Sequence, residues 1–196
     1  MPSPRPPQQP RALRTRNEIL AAARRVFAEQ GYDGATVDDV AEAAGCSKGA
    51  YYFHFASKEE VLLALVDAWA GERSRQLREA APEDLLETLL VTETSGGWGP
   101  HLLLEFWQQA GRSRRLQQKL GSIERSWRKL LEERLAGDKR STRGVAPVVA
   151  AQLALALHHG LVVEGCLGQI SRARAKACAD ALERQLAGST SLRQAG

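Results

Sequence analysis

The sequence has few cysteines and lacks the patterns that direct a chain to disulfide-forming compartments. Three cysteines stand among 196 residues, and Cys46, Cys166 and Cys178 form no CxxC pair. This odd number and wide spacing argue against a disulfide framework or a thiolate zinc site and fit a reducing compartment. Residues 1–10 are rich in proline and polar residues and contain no apolar stretch of the signal-peptide kind, so we expect this segment to be disordered.

Long apolar runs are also missing. The longest nearly continuous one extends from Gly144 to Leu157, is interrupted by Gln152 and is 14 residues long. A bilayer span needs about 20 apolar residues, so this run suits a buried helix better. We therefore expect no transmembrane segment, no membrane partner and a cytoplasmic location.

Signatures of catalysis and metal binding are not found either. The sequence contains no HExxH, no GxSxG and no glycine-rich phosphate loop. His101, Glu105, His158 and Glu164 do not stand at a recognised metal-ligand spacing. We expect no enzyme activity, no metal and no cofactor. A helical ligand-binding protein or an enzyme remains the alternative. Titratable residues that converge on a bound substrate would identify an enzyme.

Helical periodicity is the main pattern in the sequence. Apolar residues make up 43% of the chain and charged residues 26%, enough for a sizeable core. Apolar positions recur at helical spacing and no stretch alternates as a strand would, so we predict an all-α fold. The predicted helices cover about 13–30, 37–44, 48–54, 58–80, 82–94, 101–110, 112–135, 145–167 and 171–186.

Residues 37–52 have the spacing of a helix-turn-helix. Gly45 supplies the turn, whereas Val40, Cys46 and Tyr51 are predicted to face inward. Thr36 and Ser47 precede the two helices as capping residues, because their hydroxyls can accept hydrogen bonds from free amides. A generic pair of packed helices would satisfy the same spacing and stays an alternative.

Four aromatic residues and a histidine closely follow this turn, in the segment 51–55. A small core cannot hide all of them, so some must face outward. Tyr52 and His54 can donate to phosphate oxygens, Lys48 can reach a phosphate or a guanine edge, and Lys58 stands at a helix start. A helical adaptor without DNA function would leave this surface unexplained.

The segment from Gly45 to Leu62, GCSKGAYYFHFASKEEVL, resembles the recognition region of the TetR family of bacterial transcriptional regulators. Residues 19–23, 27–32 and 36–41 agree with the same family pattern, so the resemblance covers roughly residues 12–65. Beyond that region it rests on the number and length of the helices alone.

The resemblance implies a two-domain protein. A disordered basic arm (1–11), a three-helix DNA-binding domain (12–57) and a connector helix (58–81) would precede an effector-binding and dimerisation domain (82–196). It implies that Thr36 and Ser47 contact phosphate and that Tyr52, His54 and Lys58 anchor the DNA backbone. It also implies a position in the major groove for Lys48, Gly49, Ala50 and Phe53. Tyr51 stands where the family usually has leucine or isoleucine, which favours a buried ring whose hydroxyl needs a partner. Cys46 reads as a small core residue.

The DNA-binding segment is not basic as a whole. Residues 1–60 contain eight basic and eight acidic residues, and the chain carries a formal net charge of +4. The first 16 residues hold Arg5, Arg11, Arg14 and Arg16 without an acid. Such an arm could neutralise phosphate or enter a minor groove, although a merely solubilising tail is an equal alternative for Arg5.

A candidate effector pocket combines aromatic and polar residues of the second domain. Its members are Trp98, His101, Glu105, Phe106, Trp107, Trp127, His158, His159 and Glu164. Aromatic walls with a few polar groups are typical of small-molecule sites, although ordinary core packing would give the same pattern. An inward Glu105 would need a cationic partner, so we expect an aromatic or cationic lipophilic effector.

The last two helices are the predicted dimer contact. The first of them is apolar around more of its circumference than one-sided packing requires, which favours a covering partner over burial within one subunit. Its residues are Val148, Val149, Leu153, Ala156, Leu157, Leu161 and Val162, with Ala177, Ala181 and Leu182 on the next helix. The resemblance implies a homodimer that binds a palindromic operator and a small-molecule effector, and it favours repression.

Overall fold

A computed structural model describes residues 9–91, 100–137 and 145–188, with the side chains of residues 9, 10, 100 and 101 excepted. Every regular element in these ranges is helical, which confirms the all-α prediction. The α-helices are α1 (Gln9–Gly34), α2 (Val37–Ala43), α3 (Lys48–His54), α4 (Lys58–Glu79), α5 (Leu85–Val91), α6 (Pro100–Ala110), α7 (Arg114–Gly137), α8 (Pro147–Cys166) and α9 (Arg172–Leu186). Arg5, Trp98 and the side chain of His101 lie outside the described residues.

The chain divides into two compact units, Met1–Ala68 and Trp69–Gly196. The division falls inside α4 and therefore inside the segment 58–81 that the sequence assigned to a connector. Each unit has its own buried core and is described by itself.

The N-terminal unit contains α1, α2, α3 and the first part of α4. Its apolar core includes Ile19, Phe27, Val40, Tyr51 and Leu65. Gly31 has a φ of 73°, so the helix predicted over 13–30 is interrupted at Gly31 and a further helical segment continues to Gly34. α1 begins at Gln9 and so takes in residues 9–11, which the sequence assigned to a disordered arm. Proline is tolerated in the first turn of a helix, so Pro10 does not prevent this earlier start.

The two short helices of this unit start where capping residues were predicted. The Thr36 hydroxyl accepts a hydrogen bond from the Asp39 N–H, and the Asp39 carboxylate accepts one from the Thr36 N–H, forming a capping box. The Ser47 hydroxyl accepts from the Ala50 N–H at the start of α3. Gly45, with a φ of 64°, makes the turn between the helices in the left-handed region that favours glycine.

The C-terminal unit is a bundle in which α7 packs on α8, α5 packs on α9, and α6 packs on α7 and α8. Six apolar side chains of α7 are buried at helical spacing: Leu116, Leu120, Ile123, Trp127, Leu131 and Leu135. The sequence predicted one helix over 82–94, whereas Pro82–Asp84 forms a short 3-10 helix that leads into α5. A tight turn of this kind is common at the N-terminus of an α-helix.

α8 is rich in apolar residues along its whole length. Among the described residues it is the one helix that is long and apolar enough to cross a membrane, judged by length and composition alone. Core helices pass the same test, and α8 packs against α5, α6 and α7. Its contacts are therefore those of a central bundle helix.

Candidate functional site

α3 presents a cluster of exposed side chains to solvent. Tyr52 is 48% exposed and Phe53 is 79% exposed, and Lys48 lies one turn before Tyr52 on the same helix. His54 is half-buried, with its ring 5.0 Å from that of Phe53. We call Lys48, Gly49, Tyr52 and Phe53 the α3 surface. The prediction that part of the aromatic segment must face outward is confirmed.

Tyr51 points the other way, into the core. Its side chain is fully buried, and its hydroxyl donates a long hydrogen bond of 3.5 Å to the Ser57 carbonyl. Burial raises the pKa of Tyr51 to about 12, so the phenol stays neutral. The predicted inward ring and hydroxyl partner are both confirmed. Cys46 is half-buried, and burial raises the pKa of its thiol.

The hydroxyls of the two capping residues, Thr36 and Ser47, differ in whether their protons are available for a hydrogen bond to phosphate. The Thr36 hydroxyl donates to Asp39 Oδ2 at 2.7 Å, and this bond lowers the pKa of the Asp39 carboxyl. The Ser47 hydroxyl accepts from the Ala50 N–H at 3.1 Å, and this bond leaves the Ser47 proton to be donated elsewhere. Of the two predicted phosphate contacts, Ser47 is therefore the better placed donor.

Lys48 is held by a carboxylate of the preceding helix. Its ammonium lies 2.8 Å from Asp38 Oδ1 and 3.0 Å from Oδ2, so both oxygens face the same cation. The hydrogen bond that Lys48 donates to Asp38 is the main cause that raises the pKa of Lys48, so the lysine stays charged. Sequence reasoning missed Asp38. The available signal was a second acid in the first turn of α2, beside the Asp39 that completes the cap.

Lys58 is built into the N-terminal unit. Its ammonium donates to the carbonyls of Tyr32, at 2.5 Å, and Ala35, at 2.7 Å, and lies 4.3 Å from the centre of the Tyr32 ring. These bonds satisfy carbonyls at the end of the α1 segment. An ammonium has three donors, so one N–H stays available for the predicted phosphate contact.

Replacing Lys58 by Met should lower the free energy of unfolding of the DNA-free protein by about 3 kcal/mol, because two hydrogen bonds from a charged donor are lost and each contributes about 1.5–3 kcal/mol. Chemical denaturation followed by far-UV circular dichroism measures this change. An unchanged midpoint and slope would show that the two carbonyl bonds contribute nothing to stability.

An open cleft of about 610 Å³ lies between the first turns of α1 and the turn that precedes α3. Its lining consists of Arg11, Arg14, Thr15, Glu18, Gly45 and Cys46. Arg14 forms an ion pair of 2.9 Å with Glu18. Arg16 places its guanidinium 4.9 Å from the centre of the Phe55 ring. Arg11, which the sequence placed in a disordered arm, thus lies in α1 and lines this cleft, whereas Arg14 and Arg16 lie in the predicted first helix.

The C-terminal unit brings five of the predicted pocket residues together. Trp127 is buried, its ring centre lies 6.4 Å from that of His158, and its indole N–H donates to Ser74 Oγ at 2.8 Å. Trp107 lies edge-on to His159 at 5.2 Å. We call Trp69, Phe106, Trp107, Trp127, His158 and His159 the aromatic cluster.

Glu105 and Glu164 were also predicted to line a pocket. Both are half-buried, and within the described residues neither forms a hydrogen bond or ion pair with the aromatic cluster. The carboxylate that does reach the cluster is Glu124, whose Oε1 lies 2.9 Å from His159 Nε2. The structure thus joins His159 to an acid of α7 that the sequence did not single out.

A buried arginine, Arg73, shares a hydrogen-bond acceptor with His158 of the aromatic cluster. Arg73 is 2% exposed, and its guanidinium donates to the Leu89 carbonyl and, at 3.1 Å, to Gln76 Oε1. The Leu89 carbonyl belongs to α5. Sequence reasoning missed Arg73, although its spacing from Trp69 and Leu77 places it on the buried stripe of α4.

His158 shares the same acceptor. Its Nδ1 lies 3.1 Å from the Leu89 carbonyl, which can only accept, so Nδ1 carries the proton. Burial, assisted by the positive charge of Arg73, lowers the pKa of His158 to about 3. The imidazole is therefore neutral at physiological pH.

α8 carries an exposed apolar stripe. Val149, Leu153, Val163 and Leu167 are all more than two-fifths exposed, and they recur at the spacing of one helix face. We call these four residues, together with Ala156, the α8 face. Of the residues predicted to contact a partner, Leu161 and Val162 instead lie in the core of the unit. Ala177 and Ala181 of α9 are exposed and Leu182 is half-buried.

Comparisons with known proteins match both units. The model of bacterial regulatory proteins of the tetR family matches residues 19–65, and that of the C-terminal part of BetI-type transcriptional repressors matches residues 85–187. The HTH-type transcriptional repressor AcnR of Corynebacterium jeikeium is 30% identical over 172 residues, 85% of this chain and 87% of the relative.

Other similarities cover less sequence or show the fold alone. The AcnR repressor of Corynebacterium efficiens is 38% identical over 86 residues, 44% of this chain and 46% of the relative, so this match spans under half the relative's length. The structure of Salmonella enterica GusR has a TM-score of 0.75 at 24% identity, covering 89% of this chain and 94% of that one. Together with a helix-turn-helix whose caps, turn and buried Tyr51 agree with the sequence pattern, these matches show that the chain belongs to the TetR family of bacterial regulatory proteins.

Proposed function

We propose that this protein is a ligand-responsive transcriptional repressor that binds a palindromic operator as a homodimer. The observation that carries the proposal is the α3 surface, where Lys48, Tyr52 and Phe53 face solvent on the second helix of a helix-turn-helix. In this motif the second helix enters the major groove with its N-terminal residues at the base edges. The two recognition helices of a dimer would then occupy successive major grooves, about 34–36 Å apart.

The proposed contacts divide into two kinds. Major-groove contacts come from Lys48, Gly49, Ala50 and Phe53, and phosphate contacts come from Thr36, Ser47, Tyr52, His54 and Lys58. Phosphate contacts fix the position of a protein on the duplex, whereas base-edge contacts carry the sequence information. An added Cβ at Gly49 would meet the Ser47 hydroxyl at 3.8 Å, an ordinary contact, so the small residues here favour close approach of DNA over internal packing.

The proposed effector site is the aromatic cluster of the C-terminal unit. Trp107, Trp127 and His158 supply apolar walls and polar groups there, and we include Trp98, His101, Glu105 and Glu164 as further lining residues. Arg73 contributes a buried positive charge to the region, so we favour a small lipophilic aromatic effector over a cationic one. Effector binding would shift the dimer towards a form whose recognition helices no longer match the operator spacing. α4 contributes residues to both units and is the proposed carrier of this change.

The proposed dimer contact is the α8 face together with α9. Exposed large apolar residues at one-face spacing favour a covering partner, and small residues on α9 permit close packing of helices. A two-fold axis would bring the same patch of both subunits together. We assign the protein to the cytoplasm and propose no catalytic role.

Replacing Tyr52 by Phe should weaken binding to operator and random DNA alike, by about five- to tenfold, because it removes one hydrogen bond to phosphate worth about 1 kcal/mol. Fluorescence anisotropy on both duplexes measures the change. The matched control is Tyr51→Phe, which removes the buried hydroxyl next to it and should leave DNA affinity unchanged. Equal losses in the two variants would contradict the assigned role of Tyr52.

A further inference from the structure

The two acids in the first turn of α2 have different partners. Asp39 accepts the hydrogen bonds of the capping box from Thr36. Asp38 faces α3 instead, where both of its oxygens meet the Lys48 ammonium. Helix capping therefore accounts for Asp39 and leaves the orientation of Asp38 unexplained.

The Asp38–Lys48 pair lies on the surface that the proposed function assigns to DNA. The side chains of Lys48 and Asp38 are 56% and 67% exposed, and Lys48 lies one turn before Tyr52 on α3. Within the pair the two charges cancel. A phosphate that approaches Lys48 must displace the carboxylate or meet its negative charge.

This cancellation affects two kinds of DNA complex unequally. Binding to random DNA depends on neutralising phosphates, so a lysine that is already paired contributes little to it. Binding to an operator also uses base-edge contacts, for which a side chain restrained in one direction loses less conformational freedom. A carboxylate beside Lys48 therefore weakens binding to random DNA more than binding to the operator.

We infer that Asp38 is a specificity-determining residue of the DNA interface, which restrains Lys48 and weakens binding to non-operator DNA more than binding to the operator. The inference rests on the proposed function, because it requires the α3 surface to contact DNA. Asp38 acts through Lys48 and is in this sense a positioning residue.

Asp38→Asn tests the inference in the full-length protein, with an operator selected from random fragments and a random duplex of equal length. The variant should bind the random duplex about three- to fivefold more tightly, as expected for an exposed ion pair. Its slope of log affinity against log salt should steepen by about 0.9, the value for one additional phosphate. The ratio of operator to random affinity should fall about threefold or more.

Glu42→Gln is the matched control, because it removes the same charge from an exposed carboxylate of α2 and leaves the Asp38–Lys48 pair intact. In a Lys48→Gln background, Asp38→Asn should have no larger effect than Glu42→Gln. Asp38→Ser provides a second variant with a residue suited to a helix start, and circular dichroism verifies that each variant is folded.

The outcomes separate the inference from the proposed function. If the unsubstituted protein selects no operator, the proposed function fails and the inference falls with it. If an operator is selected but Asp38→Asn and Glu42→Gln change both affinities equally, the inference alone is overturned. An unchanged operator-to-random ratio in Asp38→Asn would overturn it in the same way.

Discussion

Leu153→Glu is expected to convert the dimer into a monomer and to weaken operator binding by at least about a hundredfold. Leu153 belongs to the α8 face and is 47% exposed, so the isolated subunit tolerates a carboxylate there. In a two-fold contact the same position faces its symmetry-related region, and both carboxylates would be removed from water without a partner. Burying an unpaired charge costs several kcal/mol.

Operator affinity falls because a monomer no longer joins two DNA-binding units that can occupy both half-sites. When two DNA-binding units are joined, the second binding event is intramolecular and raises overall affinity by about 10²–10⁴. Sedimentation equilibrium at micromolar concentration measures the subunit state, and anisotropy measures operator binding. Ser126→Glu adds the same charge at an exposed position of α7 and should leave both unchanged. A Leu153→Glu protein that remains a dimer would contradict the assignment of the α8 face.

Acidification from pH 7 to pH 5 should destabilise the C-terminal unit by about 2 kcal/mol through His158 alone. The native pKa of His158 is about 3, because burial and the charge of Arg73 disfavour the imidazolium. In the unfolded chain the ordinary value of about 6.5 applies. Below that pH the unfolded chain binds a proton that the native chain does not. The contribution of His158 to the free energy of unfolding is therefore fully present above about pH 6.5. It is lost at about 1.4 kcal/mol per pH unit as the pH falls towards 3.

Tryptophan fluorescence during urea denaturation reports this effect selectively, since all four tryptophans lie in residues 69–196. His158→Gln keeps a donor for the Leu89 carbonyl but does not titrate, so its unfolding free energy should depend less steeply on pH. His54→Gln removes a histidine of the N-terminal unit and should retain the slope. Identical slopes in the unsubstituted protein and in His158→Gln would contradict a buried neutral His158.

Local signals in the sequence predicted the N-terminal unit well. Thr36 and Ser47 cap their helices, and Gly31 and Gly45 adopt positive φ, because each depends on residues within one turn of the chain. Tyr51 is buried because helical spacing places it on the inner face of α3. These features need no knowledge of distant residues.

Lys58 and His158 were predicted as site residues, but the contacts that fix them and Arg73 depend on distant partners and were not predicted from the sequence. Lys58 donates to carbonyls more than 20 residues earlier in the chain. Arg73 and His158 meet at the carbonyl of Leu89, which no side-chain pattern marks as an acceptor. Backbone carbonyls are present at every residue, so only the fold selects the one that binds a given cation. Five of the six members of the aromatic cluster were predicted as pocket residues, whereas Trp69 of α4 was not, and which rings lie in contact depends on the packing of α4, α6, α7 and α8.

The most direct test of the central claim is selection of bound fragments from a random DNA pool by the purified full-length protein. The account predicts enrichment of a palindrome whose half-site centres are about 10 base pairs apart, with binding that weakens steeply as salt increases. It also predicts that Leu153→Glu abolishes the enrichment of the paired half-sites. Salt-dependent DNA binding without enrichment of any sequence would contradict operator recognition by the α3 surface.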